Sequence, residues 1–106
     1  MAVKQVPEAL LADVKNYLDS TWADDSLNRK IEGLIRSGMV YLDGKLGSSA
    51  DYESDGDPRT LLFEFVRYAR DGAMDLFETN YKSMILAMQN KRAVKAYAES
   101  AVSSEQ

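Results

Sequence analysis

The sequence predicts an all-α fold. It reads as a small bundle of three main helices, over about residues 7–19, 25–46 and 58–79, with a shorter fourth over about 81–90 and a flexible C-terminal tail. Three observations carry this. Apolar residues recur at spacings of three and four through most of the chain. The three main periodic windows open on helix-start residues: Pro7-Glu8, Asp24-Asp25 and Asp57-Pro58. A polar, turn-forming stretch over 47–57 separates the second window from the third.

In the first helix Leu10, Leu11, Val14, Tyr17 and Leu18 form the apolar face, which fades at Asp19-Ser20-Thr21. Trp22 follows in a short connection and is expected to plug the edge of the core. The second helix starts with favourable negative charge at Asp24-Asp25 and buries Leu27, Ile31, Leu34, Ile35, Gly38, Met39, Tyr41, Leu42 and Leu46. Gly33 and Gly38 each cost such a helix about 1 kcal/mol relative to alanine. That cost suggests a close crossing onto a second small patch, Ala69, Gly72 and Ala73, in the third helix.

The stretch from Asp57 to Asn80 reads as one long helix with Asp57 as its cap. Leu61, Leu62, Phe65, Val66, Tyr68, Ala69, Ala73, Leu76 and Phe77 share one side of its wheel, and Phe63 and Met74 widen that side. Glu64, Arg67, Asp71, Asp75 and Glu78 are squeezed into the remaining strip. The apolar arc covers roughly 240°, against about 100° for an ordinary surface helix. Such a helix is either central to the fold or partly reserved for another copy of the chain, and Phe63 and Met74 are the candidate intersubunit contacts. Thr79-Asn80 is the expected break before the fourth helix, whose apolar set is Tyr81, Met84, Ile85, Leu86 and Met88. Residues 93–99 fit a short helix or a strand, since Val94, Ala96 and Ala98 alternate, and 100–106 read as a mobile tail.

With 106 residues the chain forms a single domain with one modest core. No apolar run approaches the roughly 18 residues that span a membrane, and the first seven residues lack the apolar core of a signal peptide. Cysteine and histidine are both absent, which removes disulfides, thiolate metal sites and the commonest general base. The net charge of −4 is uneven: residues 1–80 carry 15 acidic and nine basic groups, whereas 81–106 carry Lys82, Lys91, Arg92 and Lys95 against Glu99 and Glu105. Lys91, Arg92 and Lys95 are therefore a candidate basic patch. A solvated helix end, with cations matching the helix dipole, is the plainer reading.

The acidic loop invites comparison with a calcium-binding loop, with Asp51, Glu53, Asp55, Gly56 and Asp57 at the leading positions. The twelfth position, which needs a bidentate glutamate, is Leu62, and the ninth is Arg59. No metal or cofactor site is expected. Asp71 and Asp75 lie on the charged strip, and Ser26, Ser37 and Ser83 have no histidine to activate them. No phosphate-binding glycine loop occurs, so no catalytic residue is assigned and an enzyme is not expected. Tyr52, among acids, and Tyr97, in the basic segment, suit interface anchors better than base stacking, and a simple packing role fits each equally well.

Four blocks in order resemble the head–tail connector family of tailed bacteriophages, also called adaptor, head-completion or DNA-packaging proteins. They are Leu10-Leu11-Ala12-Asp13-Val14-Lys15-Asn16-Tyr17-Leu18; Asp24-Asp25-Ser26-Leu27 leading to Ile31-Glu32-Gly33-Leu34-Ile35 and Tyr41-Leu42; Asp57-Pro58-Arg59-Thr60-Leu61-Leu62 through Phe65-Val66-Arg67-Tyr68; and Asp75-Leu76-Phe77-Glu78-Thr79-Asn80-Tyr81 followed by Ile85-Leu86-Ala87-Met88-Gln89. The likeness covers about residues 8–97 and is nearest to connectors of phages and prophages of Gram-positive bacteria. It implies a non-enzymatic, all-helical virion protein at the head–tail junction, made in the host bacterial cytoplasm. It further implies a homo-oligomeric ring, twelvefold to match a portal, that touches portal protein and a tail-side completion protein. Genomic DNA would pass through its channel without sequence-specific binding. The resemblance carries over no catalytic, metal or channel-lining residue. The competing reading from the residues is a small helical DNA-binding or regulatory module that uses the 91–95 segment.

Overall fold

The computed structural model describes residues 5–19 and 24–104, the last five as helical backbone. Four helices run in chain order: α1 Glu8–Tyr17, α2 Asp25–Leu46, α3 Asp57–Arg70 and α4 Met74–Ser104. The fold is all-α, and no strand occurs among the described residues. No described helix is long and apolar enough to cross a membrane. Trp22 lies outside the described residues.

Local sequence accounts for most helix ends. Pro7 sits at the N-cap of α1, and its carbonyl accepts from Leu11 N at 3.0 Å. Asp24 caps α2 by accepting from Leu27 N at 3.1 Å. Gly47, in the left-handed conformation at φ 79°, closes α2 by donating to Asp43 O at 2.8 Å. At the start of α3, Gly56 rather than Asp57 is the N-cap, and no side chain caps this helix. Asp57 instead places its charge in the first turn, ahead of Pro58, where the helix dipole favours an anion.

The expected long helix over 57–80 is two helices. It breaks at Asp71-Gly72-Ala73, not at Thr79-Asn80. Gly72 takes φ 71°, Ala73 N donates back to Tyr68 O at 2.8 Å, and Gly72 N donates to Ala69 O at 3.2 Å. This paired closure satisfies the last carbonyls of α3 and suits glycine because a Cβ disfavours the left-handed region. At Thr79 and Asn80 the backbone stays helical; Thr79 Oγ1 donates to Asp75 O and Asn80 Nδ2 to Tyr68 OH. The separate short fourth helix is therefore part of α4, which continues through 93–99 as helix and reaches Ser104, into the expected tail. Lysine, arginine and alanine favour helix, so a helix already formed over 74–90 extends through them.

The core joins all four helices. Leu10 and Val14 come from α1, Ile31, Ile35, Met39 and Leu42 from α2, Leu61, Leu62, Phe65 and Val66 from α3, and Phe77, Ile85 and Met88 from α4. Phe77 is its aromatic hub, with ring centroids 5.6 Å from Phe65, 5.9 Å from Tyr68 and 5.2 Å from Tyr81. α2 meets α3 closely at Gly38, where a Cβ would stand 2.7 Å from Leu62 Cδ1 and 2.8 Å from Phe65 Cδ1. The expected close approach therefore occurs at Gly38, against Leu62 and Phe65 rather than the small patch. Gly33 has nothing within 4 Å of its would-be Cβ.

Splitting the long helix accounts for much of the wide apolar arc. A single wheel over 57–80 spans two helices of different direction, so it places Leu76, exposed at the start of α4, beside residues that α3 buries.

Candidate functional site

The charged strip contains a buried node. Glu64, expected at the surface, is only 8% exposed. Its carboxylate accepts from Tyr17 OH, from Tyr81 OH at 3.0 Å and from Arg67 Nε and Nη2 at 3.1 and 2.7 Å. Four donors from α1, α3 and α4 thus converge on one carboxylate, and a buried carboxylate needs such partners. Burial and the Glu64 hydrogen bond together hold the Tyr81 hydroxyl above its ordinary pKa. The node is fully engaged inside the subunit, so it ties helices together rather than presenting a reactive group. Arg67 at i+3 was its one visible signal; the tyrosines come from helices too distant in sequence for spacing to reveal.

Phe63 and Met74, the candidate intersubunit contacts, are both partly buried against the core. Phe63 meets the Tyr17 ring edge-on at 5.5 Å and lies under the Arg59 guanidinium at 4.7 Å. Arg59 also reaches Asp13 on α1 at 2.7 Å. Phe63 therefore helps to seat α1 on α3. The large apolar side chains most open to solvent lie elsewhere: Val40 on α2 at 63%, and Leu76, Leu86, Val94 and Tyr97 on α4 at 53%, 48%, 69% and 78%.

The acidic loop is pinned by Tyr52, a buried side chain whose hydroxyl donates to Asp43 Oδ1 at 2.6 Å. The same carboxylate oxygen accepts from Ala50 N at 3.0 Å. Burial first, and the Asp43 carboxylate second, push the Tyr52 hydroxyl far above its ordinary pKa. Tyr52, expected as an interface anchor or packing residue, is thus a packing residue. Asp51 turns its carboxylate onto the loop's own Glu53 and Ser54 amides at 2.9 and 3.3 Å, and the Ser54 side chain first, with these amides, lowers its pKa. No group of three or more acidic, histidine or cysteine side chains among the described residues is placed to hold a metal ion.

The basic patch stands opposite this loop. Lys91, Arg92 and Lys95 line one side of a groove of about 410 Å³, and Asp51, Asp55 and Asp57 line the other, with Leu46, Ala50 and Met88 among its apolar residues. The three cations therefore do not form an isolated positive surface. Ser26, Ser37 and Ser83 are exposed, and Asp71 is paired with Arg70 at 3.2 Å. The structure does not join them to one another.

A second, shallower groove of about 710 Å³ opens on α2 over Gly33, Ser37, Val40 and Phe65, with Arg36 and Tyr41 at its sides. Burial, followed by the charge of Glu78, raises the Tyr41 hydroxyl above its ordinary pKa. Beyond Asn90 every described side chain of α4, residues 91–99, is exposed, so the helix projects past the bundle as an arm. The molecule is accordingly elongated, 55 × 28 × 27 Å.

The chain matches no family model, no curated protein and no solved structure. The functional reading therefore rests on the surfaces described above and on the resemblance in the order of its helix ends.

Proposed function

We propose that this protein is a structural subunit of the head–tail junction of a tailed bacteriophage. In this reading it forms a ring, twelvefold with the portal, that extends the DNA channel and offers the tail a docking surface. The observation that carries the reading is the arm: the stretch of α4 beyond Asn90, whose described side chains, residues 91–99, are all exposed, with Val94 and Tyr97 in solvent. A long exposed helix with apolar side chains suits assembly with other chains better than it suits catalysis. The acidic body supports the same role, because a negative wall lets a polyanion slide without sticking. A channel wall dominated by Lys91, Arg92 and Lys95 would refute that part.

The competing reading, a DNA-binding module built on 91–95, is weakened by the three aspartates across the groove from those cations. Phosphates approaching Lys91, Arg92 and Lys95 would also meet Asp51, Asp55 and Asp57.

The test is electron microscopy of the chain mixed with portal rings and tail-completion protein, alongside a duplex-DNA titration at several salt concentrations. Discrete rings seated on the portal, with weak DNA binding, are the expected result. No association with portal, together with tight and steeply salt-dependent DNA binding, would replace this reading with the regulatory one.

A further inference from the structure

We infer that Asp55-Gly56, in the loop before α3, is a site of backbone isomerisation, where the folded chain converts aspartate to isoaspartate through a cyclic succinimide. The chain contains three Asp-Gly steps: Asp43-Gly44, Asp55-Gly56 and Asp71-Gly72. Such steps are chemically weak, because glycine has no side chain to shield its amide nitrogen from the preceding carboxyl carbon. In the reaction the Gly56 nitrogen attacks Asp55 Cγ. An N–Cγ bond forms, the Cγ–OH bond breaks, and the amide proton leaves with that hydroxyl as water. Water then reopens the ring. Addition at the former side-chain carbonyl restores aspartate. Addition at the former main-chain carbonyl breaks its bond to nitrogen and leaves the chain running through Cγ. Only water leaves and enters, so no other reactant is required.

The fold protects two of the three steps. Asp43 accepts from Ala50 N at 3.0 Å and from Tyr52 OH at 2.6 Å, and Gly44 lies inside α2, whose hydrogen-bond ladder holds its amide. Asp71 accepts from Arg70 Nε at 3.2 Å, and Gly72 N donates to Ala69 O at 3.2 Å in the turn that closes α3. Asp55 and Gly56 lack both restraints. The Asp55 side chain is fully exposed, and its one ion pair among the described residues is a loose one, to Arg59 Nε at 3.9 Å. Arg59 is itself held by Asp13 at 2.7 Å. Gly56 N donates to no described acceptor, and residues 53–57 are all exposed. The weak step is also built into the turn. At φ 153° and ψ −179° Gly56 occupies a region that is essentially glycine's alone. The backbone that starts α3 thus requires the residue that makes Asp55 reactive.

The product falls at a sensitive place. It inserts one methylene into the main chain directly before Gly56, the N-cap of α3, whose carbonyl accepts from Thr60 N at 3.1 Å. Arg59 spans the same turn, donating to Tyr52 O at 3.2 Å and Glu53 O at 3.4 Å. Asp55 is also one of the three aspartates across the groove from Lys91, Arg92 and Lys95, so isomerisation moves a charge that faces the basic segment. The chemistry asks nothing of the phage reading and applies whatever the chain assembles with.

Trypsin places the three steps in separate peptides, residues 37–45, 46–59 and 71–82, since cleavage follows Arg36, Lys45, Arg59, Arg70 and Lys82. The full-length chain is held for weeks in warm, mildly acidic buffer and digested. Isoaspartate is then quantified with isoaspartyl methyltransferase and placed by electron-transfer fragmentation. It is expected to accumulate at 55 at least about fivefold faster than at 43 or 71, because those steps must first give up a protecting hydrogen bond. In guanidinium chloride the three rates should converge. Equal rates in the folded chain, or a lead at 43 or 71, overturn the inference. A lead at 55 that persists undiminished in denaturant overturns its structural basis. Asp55→Asn and Asp71→Asn chains, both changed at exposed positions, give a faster reading, because asparagine forms the same ring by losing ammonia. With circular dichroism showing both folded, deamidation read by mass should run faster at 55; equal or reversed rates sink the proposal.

Discussion

Replacing Gly38 by alanine should destabilise the protein, although alanine is the better helix former. In the structure the new methyl carbon would sit 2.7 Å from Leu62 Cδ1, 2.8 Å from Phe65 Cδ1 and 3.3 Å from Phe65 Cγ. The first two are shorter than carbon atoms tolerate, and the third is tighter than ordinary van der Waals contact. Neither neighbour is a free end: Leu62 is fully buried and Phe65 nearly so, and Phe65 is itself held against Tyr41 and Phe77. Forcing a methylene-sized group into a packed core costs about 1–3 kcal/mol, and the helix gains about 1 kcal/mol from losing glycine. The net loss centres on about 1 kcal/mol, which lowers the melting temperature by roughly 4–8 °C in a domain of this size. Gly44→Ala is the matched control, since nothing lies within 4 Å of its would-be Cβ and its φ is ordinary. It should raise stability by about 0.5–1 kcal/mol. Both variants are followed by thermal and urea unfolding with far-UV circular dichroism. If Gly38→Ala proves as stable as Gly44→Ala, α2 and α3 do not pack as described, and the account of Gly38 fails.

Removing residues 91–106 should leave the melting temperature of the bundle within a few degrees, because the described side chains from 91 to 99 are all exposed; a collapse of thermal stability would show that the arm belongs to the core. Glu64→Ala leaves Tyr17, Tyr81 and Arg67 without their shared acceptor, and should cost about 2–3 kcal/mol by denaturant titration. Gly72→Ala forces a side chain into φ 71° and should cost about 1 kcal/mol; an unchanged midpoint would argue against the break at 71–73. Tyr52 and Tyr81 both have hydroxyls raised from 10.0. Their folded pKa lies above the unfolded one, so their contribution is complete below pH 10 and declines as pH rises further. Urea midpoints should therefore fall above pH 10, less steeply in the Tyr52→Phe variant, and an equal fall in both would contradict the buried Asp43 bond.

How far the fold could be read depended on whether a signal was local. The bounds of α2, 25–46, were legible because a capping aspartate opens it and a left-handed glycine closes it. The start of α3 was legible in Pro58, although the capping role passed from Asp57 to Gly56. The break at Gly72 was obscured because Ala69, Ala73 and Phe77 keep helical spacing across it, so periodicity concealed a change of direction. Gly72 sits among small residues that suggest close packing, whereas its place just past Arg70 and Asp71 is where a helix-closing glycine belongs. Glu64 was hidden for the opposite reason: its tyrosine partners lie 47 and 17 residues away. The basic segment was visible as a patch, but not the aspartates that face it, because only the tertiary fold brings 51–57 alongside 91–95.

The continuity of α4 has a kinetic meaning. A free peptide matching residues 91–104 would be too short to hold a helix in water, since starting one is the unfavourable step. In this protein that step is already taken by Met74 to Asn90, anchored through Phe77, Ile85 and Met88. The arm is thus a helix grown outward from a template, ordered by its root and not by its surroundings. Its amide protons should exchange in positional order, fastest at the tip and slowest near Met88. Any contact that covers the tip would reverse that gradient without changing a bond in the bundle.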